Sequence, residues 1–259
     1  MAEDNTVNQK LIQRMLEKLG YRADMAANGI ETVDMWARVP YDLILMDCSM
    51  PEMDGFQATA EIRGRERKTE NGRHIPIIAL TANAMTGFRE KCIEAGMDDY
   101  VSKPFKRADL EAVLESWTHP DPPPKPLESP TPRQVPEGRP PELSVDTEMV
   151  EALHETMGDE LSKLFDLLFR QTPERVEAMR QAAAQKDADA LTRVSHSLKG
   201  SAGLMGAQRL AGLGAKLQAL GETGNVEGAG DLIEMAETEF AAVKAILENE
   251  MRQISAART

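Results

Sequence analysis

Leu11, Ile12, Met15, Leu16 and Leu19 recur at helical spacing and stop at Gly20, which predicts a helix over Lys10–Leu19. Further helical stretches follow near Ile30–Ala37, Ala58–Glu66, Phe88–Ala95 and Ala108–Trp117. Between them run candidate strands at Tyr21–Ala26, Asp42–Asp47, Ile75–Thr81 and Asp99–Ser102, two of them continuous apolar runs. Such alternation predicts a parallel sheet covered by helices on both faces. After Val145 the pattern changes. Residues 146–250 give helical periodicity only, with breaks near Gly158, Lys186–Asp187, Gly206 and Gly221–Asn225, which predicts a helical bundle.

The two patterns are separated by THPDPPPKPLESPTPRQVPEGRPPELSV, residues 118–145, which holds ten of the chain's fifteen prolines and almost nothing that could build a core. It reads as a linker favouring polyproline II, able to hold two bodies up to roughly 85 Å apart when extended. The expected organisation is therefore an α/β domain over residues 1–117, a proline-rich linker over 118–145 and an all-α domain over 146–259.

With 259 residues, 41% of them hydrophobic, the chain has room for two modest cores, which excludes wholesale disorder. The net charge of −13 divides as −5, −1 and −7 over the three segments, so neither body offers the basic surface that nucleic acid or anionic lipid requires. The longest apolar runs, such as Ile75–Ala82, fall far short of the ~20 residues that cross a bilayer, and no signal-peptide core follows Met1, so a cytoplasmic segment without membrane contact is expected. Cys48 and Cys92 are too few for a disulfide framework and lack metal-ligand spacing with the four histidines, so both are read as small packing residues.

The first chemical signal is YDLILMDCSMPEMDG, where four apolar residues deliver Asp47 to the carboxyl end of a buried strand. Ligands of open α/β sheets bind at that edge. Thr81 closes the run IPIIALT, and Lys103 follows DDYVS and precedes Pro104, so carboxylate, hydroxyl and ammonium can converge on one mouth. Each alone has an ordinary structural use as turn residue, helix cap or solvated charge. Their order and spacing together are far more specific.

Through EDNTVNQ, LMDCSMPEMDG, IALTANAM and AGMDDYVSKPF, residues 2–117 resemble a response-regulator receiver domain, most of all the receivers attached to hybrid sensor kinases. The resemblance implies a flavodoxin-like parallel sheet with Asp47 as phosphoacceptor. It further implies that Glu3 and Asp4 hold Mg²⁺ together with Asp47 and the carbonyl of Ser49, that Thr81 and Lys103 contact the phosphoryl oxygens, and that Tyr100 is an aromatic switch residue. A divalent ion and a lysine would supply the charge neutralisation that phosphoryl transfer needs. Haloacid-dehalogenase-like phosphatases also use a strand-end aspartate, but with a second aspartate two positions on, where this chain has Ser49. One feature departs from the receiver pattern: only Met1 and Ala2 precede Glu3, so the first, central strand is expected to be missing and its neighbours to lack partners.

The second signal spans residues 190–207, with Leu191, Val194, Leu198, Ala202 and Met205 on an expected core face and His196 on another. Lys199, Gly200 and Gly203 lie three, four and seven positions after His196, on its side of the helix. Glycine inside a helix costs about 1 kcal/mol relative to alanine, so a reason is needed, either close approach of a partner's backbone or helix packing. HSLKGSAGLMGA resembles the signature of histidine-containing phosphotransfer (HPt) domains, which are four-helix bundles, over roughly residues 146–250. That resemblance implies His196 as a solvent-facing phosphoacceptor and Lys199 as the cation beside its phosphoryl group. Gln218 stands at a comparable height across the turn at Gly206 and is a candidate for orienting His196, with a solvated surface amide as the alternative. His74, His119 and His154 have no comparable surroundings, and Gly212 and Gly214 read as packing residues.

Neither flank carries an ATP-binding glycine loop, so the chain is expected to be a phosphotransfer intermediate and not an ATP-dependent kinase. The two resemblances together imply a phosphorelay: a sensor histidine kinase, of the same parent chain or another, passes phosphate to Asp47, His196 accepts it, and a downstream response regulator receives it. The competing reading is a non-phosphorylated, receiver-like adaptor, favoured by the lost strand.

Overall fold

The computed structural model describes residues 1–68, 74–81, 88–118 and 144–256. The chain divides into two compact units, Met1–Glu137 and Gly138–Thr259. The linker expected over 118–145 lies almost wholly outside the described residues, as does His119.

In the first unit the elements run α1 (Thr6–Lys18), α2 (Gly29–Arg38), β1 (Ile44–Asp47), α3 (Gly55–Glu66), β2 (Ile77–Thr81), α4 (Phe88–Glu94), β3 (Asp99–Ser102) and α5 (Arg107–Thr118). The strands form a parallel sheet in the order β1-β2-β3. Every residue of β1 and β2 is buried, as expected of strands covered on both faces. The first helix starts where the Asn5 side chain accepts from the Val7 N–H, and it buries Leu11, Ile12, Met15 and Leu16 as the sequence predicts. α3 begins with a reciprocal capping box between Asp54 and Gln57, which ends the loop after β1 at a fixed point.

The expected strand over Tyr21–Ala26 does not form, because its partner is reduced to one rung. Ala2 makes parallel bridges to Ala26 on one side and Met46 on the other. Its N–H donates to the Leu45 carbonyl at 2.8 Å, its carbonyl accepts from Asp47 N–H at 3.0 Å, and the Glu3 N–H donates to the Ala26 carbonyl at 3.0 Å. Among the described residues this stretch forms no named strand, but the Ala2 rung is in place and fully buried, and it fixes Glu3 beside Asp47. Next to it a cleft opens, lined by Met1, Ala26, Trp36, Tyr41, Leu43 and Ile44.

At the opposite end of the sheet Arg63 ties three segments together. Its guanidinium pairs with Glu66 at 2.7 Å and Asp98 at 2.6 Å and donates to the carbonyls of Gly96 and Ile75. His74, given no role from the sequence, contacts Asp98 at 2.6 Å. Removing the cation leaves two mostly buried carboxylates with only His74 and the Ile75 and Ile77 N–H groups as partners, so Arg63→Ala should lower the stability of this unit by about 3 kcal/mol. Both tryptophans, Trp36 and Trp117, lie in the first unit, so denaturant titration of the full chain followed by tryptophan fluorescence reads this change directly. An unchanged midpoint would show that the cluster contributes nothing.

The second unit consists of α6 (Thr147–Met157), a 3-10 turn (Gly158–Glu160), α7 (Leu161–Gln185), α8 (Ala188–Leu204), α9 (Gln208–Glu222) and α10 (Ala229–Ala256). Its breaks fall where the sequence places them. Contacts run α7 to α8, α8 to α9, α9 to α10 and α10 back to α7, which closes a four-helix bundle with α6 appended. α8 and α9 approach most closely at two glycines. A Cβ on Gly214 would stand 2.9 Å from the Lys199 nitrogen, and one on Gly221 would stand 2.3 Å from Thr192 Oγ1. Gly214 is therefore a packing residue, as expected, whereas the space around Gly212 is open.

Candidate functional site

The parallel register sets the first cluster. Asp47 is paired with Leu80 and Thr81 with Ser102, so the ends of β1 and β2 and the residue after β3, Lys103, share the carboxyl rim of the sheet. The Lys103 N–H donates to the Thr81 carbonyl at 2.5 Å, which holds that backbone against β2. Its ammonium then reaches inward, donating to Asp47 Oδ2 at 2.5 Å and Glu3 Oε2 at 2.6 Å. Thr81 is buried at the same rim.

Glu3, Asp4 and Asp47 each offer an oxygen, and these atoms lie within 4.8 Å of one another. Glu3 is held from its other side by Asn8, whose Nδ2 donates to Oε1 at 2.8 Å, and by the Asn5 N–H at 3.3 Å. Asp47 Oδ1 accepts from the Ser49 N–H at 3.1 Å, which places exposed Ser49 at the entrance of the site. Gly55 closes the loop, because a Cβ there would stand 2.2 Å from the Asp47 carbonyl oxygen.

Electrostatics follow from burial. Desolvation pushes the Glu3 carboxyl up to about 8, with the Asp47 charge adding to the rise and Lys103 opposing it. Burial pulls the Lys103 ammonium down, but Asp47 and Glu3 outweigh that and hold it above the ordinary lysine value. Three crowded carboxylate donors with one ammonium form a hard-oxygen set suited to a divalent cation. Tyr100, on β3, is half-buried and packs against the core around Met46 and Ala79. The two cysteines, read as small packing residues, are both buried and hydrogen-bonded to each other, which raises the Cys48 thiol pKa and lowers that of Cys92.

In the bundle, α8 carries His196 and Lys199. His196 is half-buried, with Nδ1 in the interior. Gly200 and Gly203 are buried, and a Cβ on Gly203 would meet Ala211 of α9 at 3.8 Å, an ordinary contact distance. Burial lowers the Lys199 pKa, with the Glu222 carboxylate opposing the shift. Gln218, the candidate for orienting His196, is engaged with its own helix. Its Nε2 donates to Glu222 Oε1 at 2.7 Å, and its Oε1 is buried with no hydrogen-bond partner. Glu222 went unnoticed in the sequence, where its spacing of four from Gln218 was the available signal.

Comparison with known proteins bears on both units. The family model for the response regulator receiver domain matches residues 1–115, and that for the Hpt domain matches residues 163–257. Among curated proteins the chain is similar to sensor histidine kinase GacS of Pseudomonas protegens, 32% identical over 81% of this chain and 22% of that protein. It is also 44% identical to hybrid signal transduction histidine kinase B of Dictyostelium discoideum over 42% of this chain and 6% of that one. The chain thus spans less than a quarter of either relative. Among solved structures, the receiver domain of a Pseudomonas aeruginosa sensor histidine kinase, crystallised with magnesium in its active site cleft, is 54% identical. That match covers 45% of this chain and 93% of the other, with a TM-score of 0.41. No helix among the described residues is long and apolar enough to cross a membrane.

Proposed function

Because residues 1–115 belong to the response regulator receiver domain family and residues 163–257 to the Hpt domain family, we propose that this chain is a phosphorelay intermediate: a phosphoryl group passes from a kinase histidine to Asp47, then to His196, and on to an output response regulator. The observation that carries this reading is the buried ammonium of Lys103 joined to both Asp47 and Glu3 at the rim of the sheet. A receiver-like adaptor that only binds would gain nothing from two carboxylates and a lysine held there at the cost of desolvation.

In this reading an Asp47 oxygen attacks phosphorus as the bond to the donor imidazole breaks, and the imidazole leaves with its electron pair. Lys103 and Thr81 take up the phosphoryl oxygens. Glu3, Asp4, Asp47 and the Ser49 carbonyl would hold Mg²⁺, which when bound neutralises charge on the transferred group. Tyr100 reports the state of the rim to the β3 surface. In the second transfer His196 is the nucleophile, and Lys199 offsets charge on the incoming phosphoryl group.

The donor is a sensor histidine kinase, in the same parent chain or a separate one, and the acceptor is the receiver of a response regulator. The segment acts in the cytoplasm as a transfer intermediate, without ATP-dependent kinase activity of its own. The test is to incubate the full chain with Mg²⁺ and a labelled small acyl phosphate, or with a separately phosphorylated receiver. Label on the bundle should be acid-labile and hydroxylamine-resistant, as phosphohistidine is, whereas an aspartyl phosphate is cleaved by hydroxylamine. A bundle left unlabelled by every competent receiver would hand the chain to the adaptor reading.

A further inference from the structure

The chain's two cysteines are distant in sequence, yet the fold buries both and brings their thiols into hydrogen-bond contact. Cys48 directly follows Asp47. Its backbone is held on both sides, its N–H donating to the Leu80 carbonyl at 3.3 Å and its carbonyl accepting from the Gly55 N–H at 3.3 Å. The next residue, Ser49, donates its N–H to Asp47 Oδ1 at 3.1 Å. A pull on the Cys48 side chain therefore reaches both the proposed phosphoacceptor and one of its hydrogen bonds.

Cys92 lies on α4, a helix of only seven residues. Helices this short have little stability of their own and depend on what they bury. Among the described side chains of α4, Glu90, Lys91, Ile93 and Glu94 are exposed and Cys92 is the buried one. The sulfur that anchors α4 is thus the sulfur that meets Cys48. Packing alone asks for a small apolar group at each position, whereas two thiols in contact are one oxidation away from a covalent bond.

We propose that Cys48 and Cys92 are a redox modification site: a peroxide joins them in a reversible disulfide that clamps the loop after β1 to α4 and impairs Asp47 as phosphoacceptor. For its consequence the inference rests on the phosphorelay reading, whereas the bond itself is measured without any transfer. In the first step the Cys92 sulfur attacks hydrogen peroxide, the O–O bond breaks, and the departing hydroxide takes the thiol proton as water, leaving a sulfenic acid. In the second the Cys48 sulfur attacks that of Cys92, the S–O bond breaks, and hydroxide leaves with the Cys48 proton as a second water. Two thiols are oxidised and one peroxide is reduced. Hydrogen peroxide is scarcely larger than water, and a local opening of short α4 admits it. A sulfur–sulfur bond is much shorter than a hydrogen bond between thiols, so closing it draws Cys48 toward α4 and moves its neighbours Asp47 and Ser49. In a reducing cytoplasm such a bond is transient and serves signalling, and a dithiol reopens it.

The test treats the full chain with a few equivalents of hydrogen peroxide. The product should be a monomer lighter by two hydrogens, in which iodoacetamide modifies neither cysteine after unfolding, and dithiothreitol should restore both. With two cysteines in the chain no other internal disulfide competes. Mg²⁺-dependent labelling of Asp47 by a small acyl phosphate should fall on the order of tenfold or more in the oxidised form and return with dithiothreitol, because small displacements of a reacting group are costly. Cys92→Ala should label like the reduced wild type both before and after peroxide, and the redox cycle of the wild type needs no variant to fold. Two alkylatable thiols after oxidation, sulfinic acids in place of the bond, or a disulfide that leaves labelling unchanged each overturn the proposal. Absence of label on the reduced wild type would instead overturn the phosphoacceptor reading and the gating with it, while mass and alkylation still decide whether the disulfide forms.

Discussion

Asp47→Asn should reduce Mg²⁺-dependent labelling of the first unit by a small acyl phosphate by at least about a thousandfold, to background. An amide oxygen is neither an effective nucleophile toward phosphorus nor an anionic ligand, so one substitution removes the attacking group and one of the three clustered carboxylates. The fold should survive. The neutral amide no longer crowds Glu3 with a like charge, and Lys103 keeps its 2.6 Å contact with Glu3, so no buried charge is left unpaired. Tryptophan fluorescence through a denaturant titration should therefore give a midpoint equal to wild type or higher. Labelling of Asp47→Asn at the wild-type level would show that the phosphoacceptor lies elsewhere. Loss of labelling together with loss of folding would leave the chemistry to Asp47→Glu, which keeps the charge but moves the oxygens.

His196→Gln should abolish the acid-labile, hydroxylamine-resistant label on the bundle while leaving acyl phosphate formation at Asp47 intact. A neutral imidazole at pH 7 has a lone pair ready to attack an aspartyl phosphate without a general base, and an amide has none. Because His196 is only half-buried, glutamine should fit there, and the helical circular dichroism and its melting should stay close to wild type. Lys199→Ala should slow transfer on the order of tenfold, the scale of a charge-assisted contact. A pH signature separates Lys199 from a structural role. Burial lowers its pKa despite Glu222, so its charge is lost at a lower pH than that of free lysine. Transfer should therefore fall earlier on the alkaline side in the wild type, and Lys199→Ala should lack that limb. A persistent phosphohistidine label in His196→Gln would dismiss the assignment.

Much of the candidate site could be read from residue order because strand ends are local. A continuous apolar run such as LILM, short and bounded by turn residues, fits a strand buried on both faces, which delivers Asp47 to its carboxyl edge, and the same logic placed Thr81 and Lys103. Helix starts were less legible: α1 begins at Thr6 and α3 at Gly55, ahead of the expected Lys10 and Ala58, because Asn5 and Asp54 cap them through side-chain bonds that apolar periodicity does not show. The order of the two bodies and the composition between them needed nothing beyond the chain itself.

Other features depended on partners distant in sequence. Tyr21–Ala26 has the composition of a strand, yet a strand needs a neighbour, and Ala2 supplies only one rung. That rung also places Glu3 against Lys103, a hundred residues away, and so completes a site whose strand was expected to be missing. The Arg63 cluster joins α3 to the segments before β2 and β3, which no spacing along the chain announces. In the bundle the sequence determined which residues are histidine, lysine and glutamine and on which helices they ride. Only the antiparallel packing of α8 on α9 decided that Lys199 lies against Gly214 and Thr192 against Gly221, because side-chain orientation between helices is set by where backbones can approach and not by the periodicity of either helix alone.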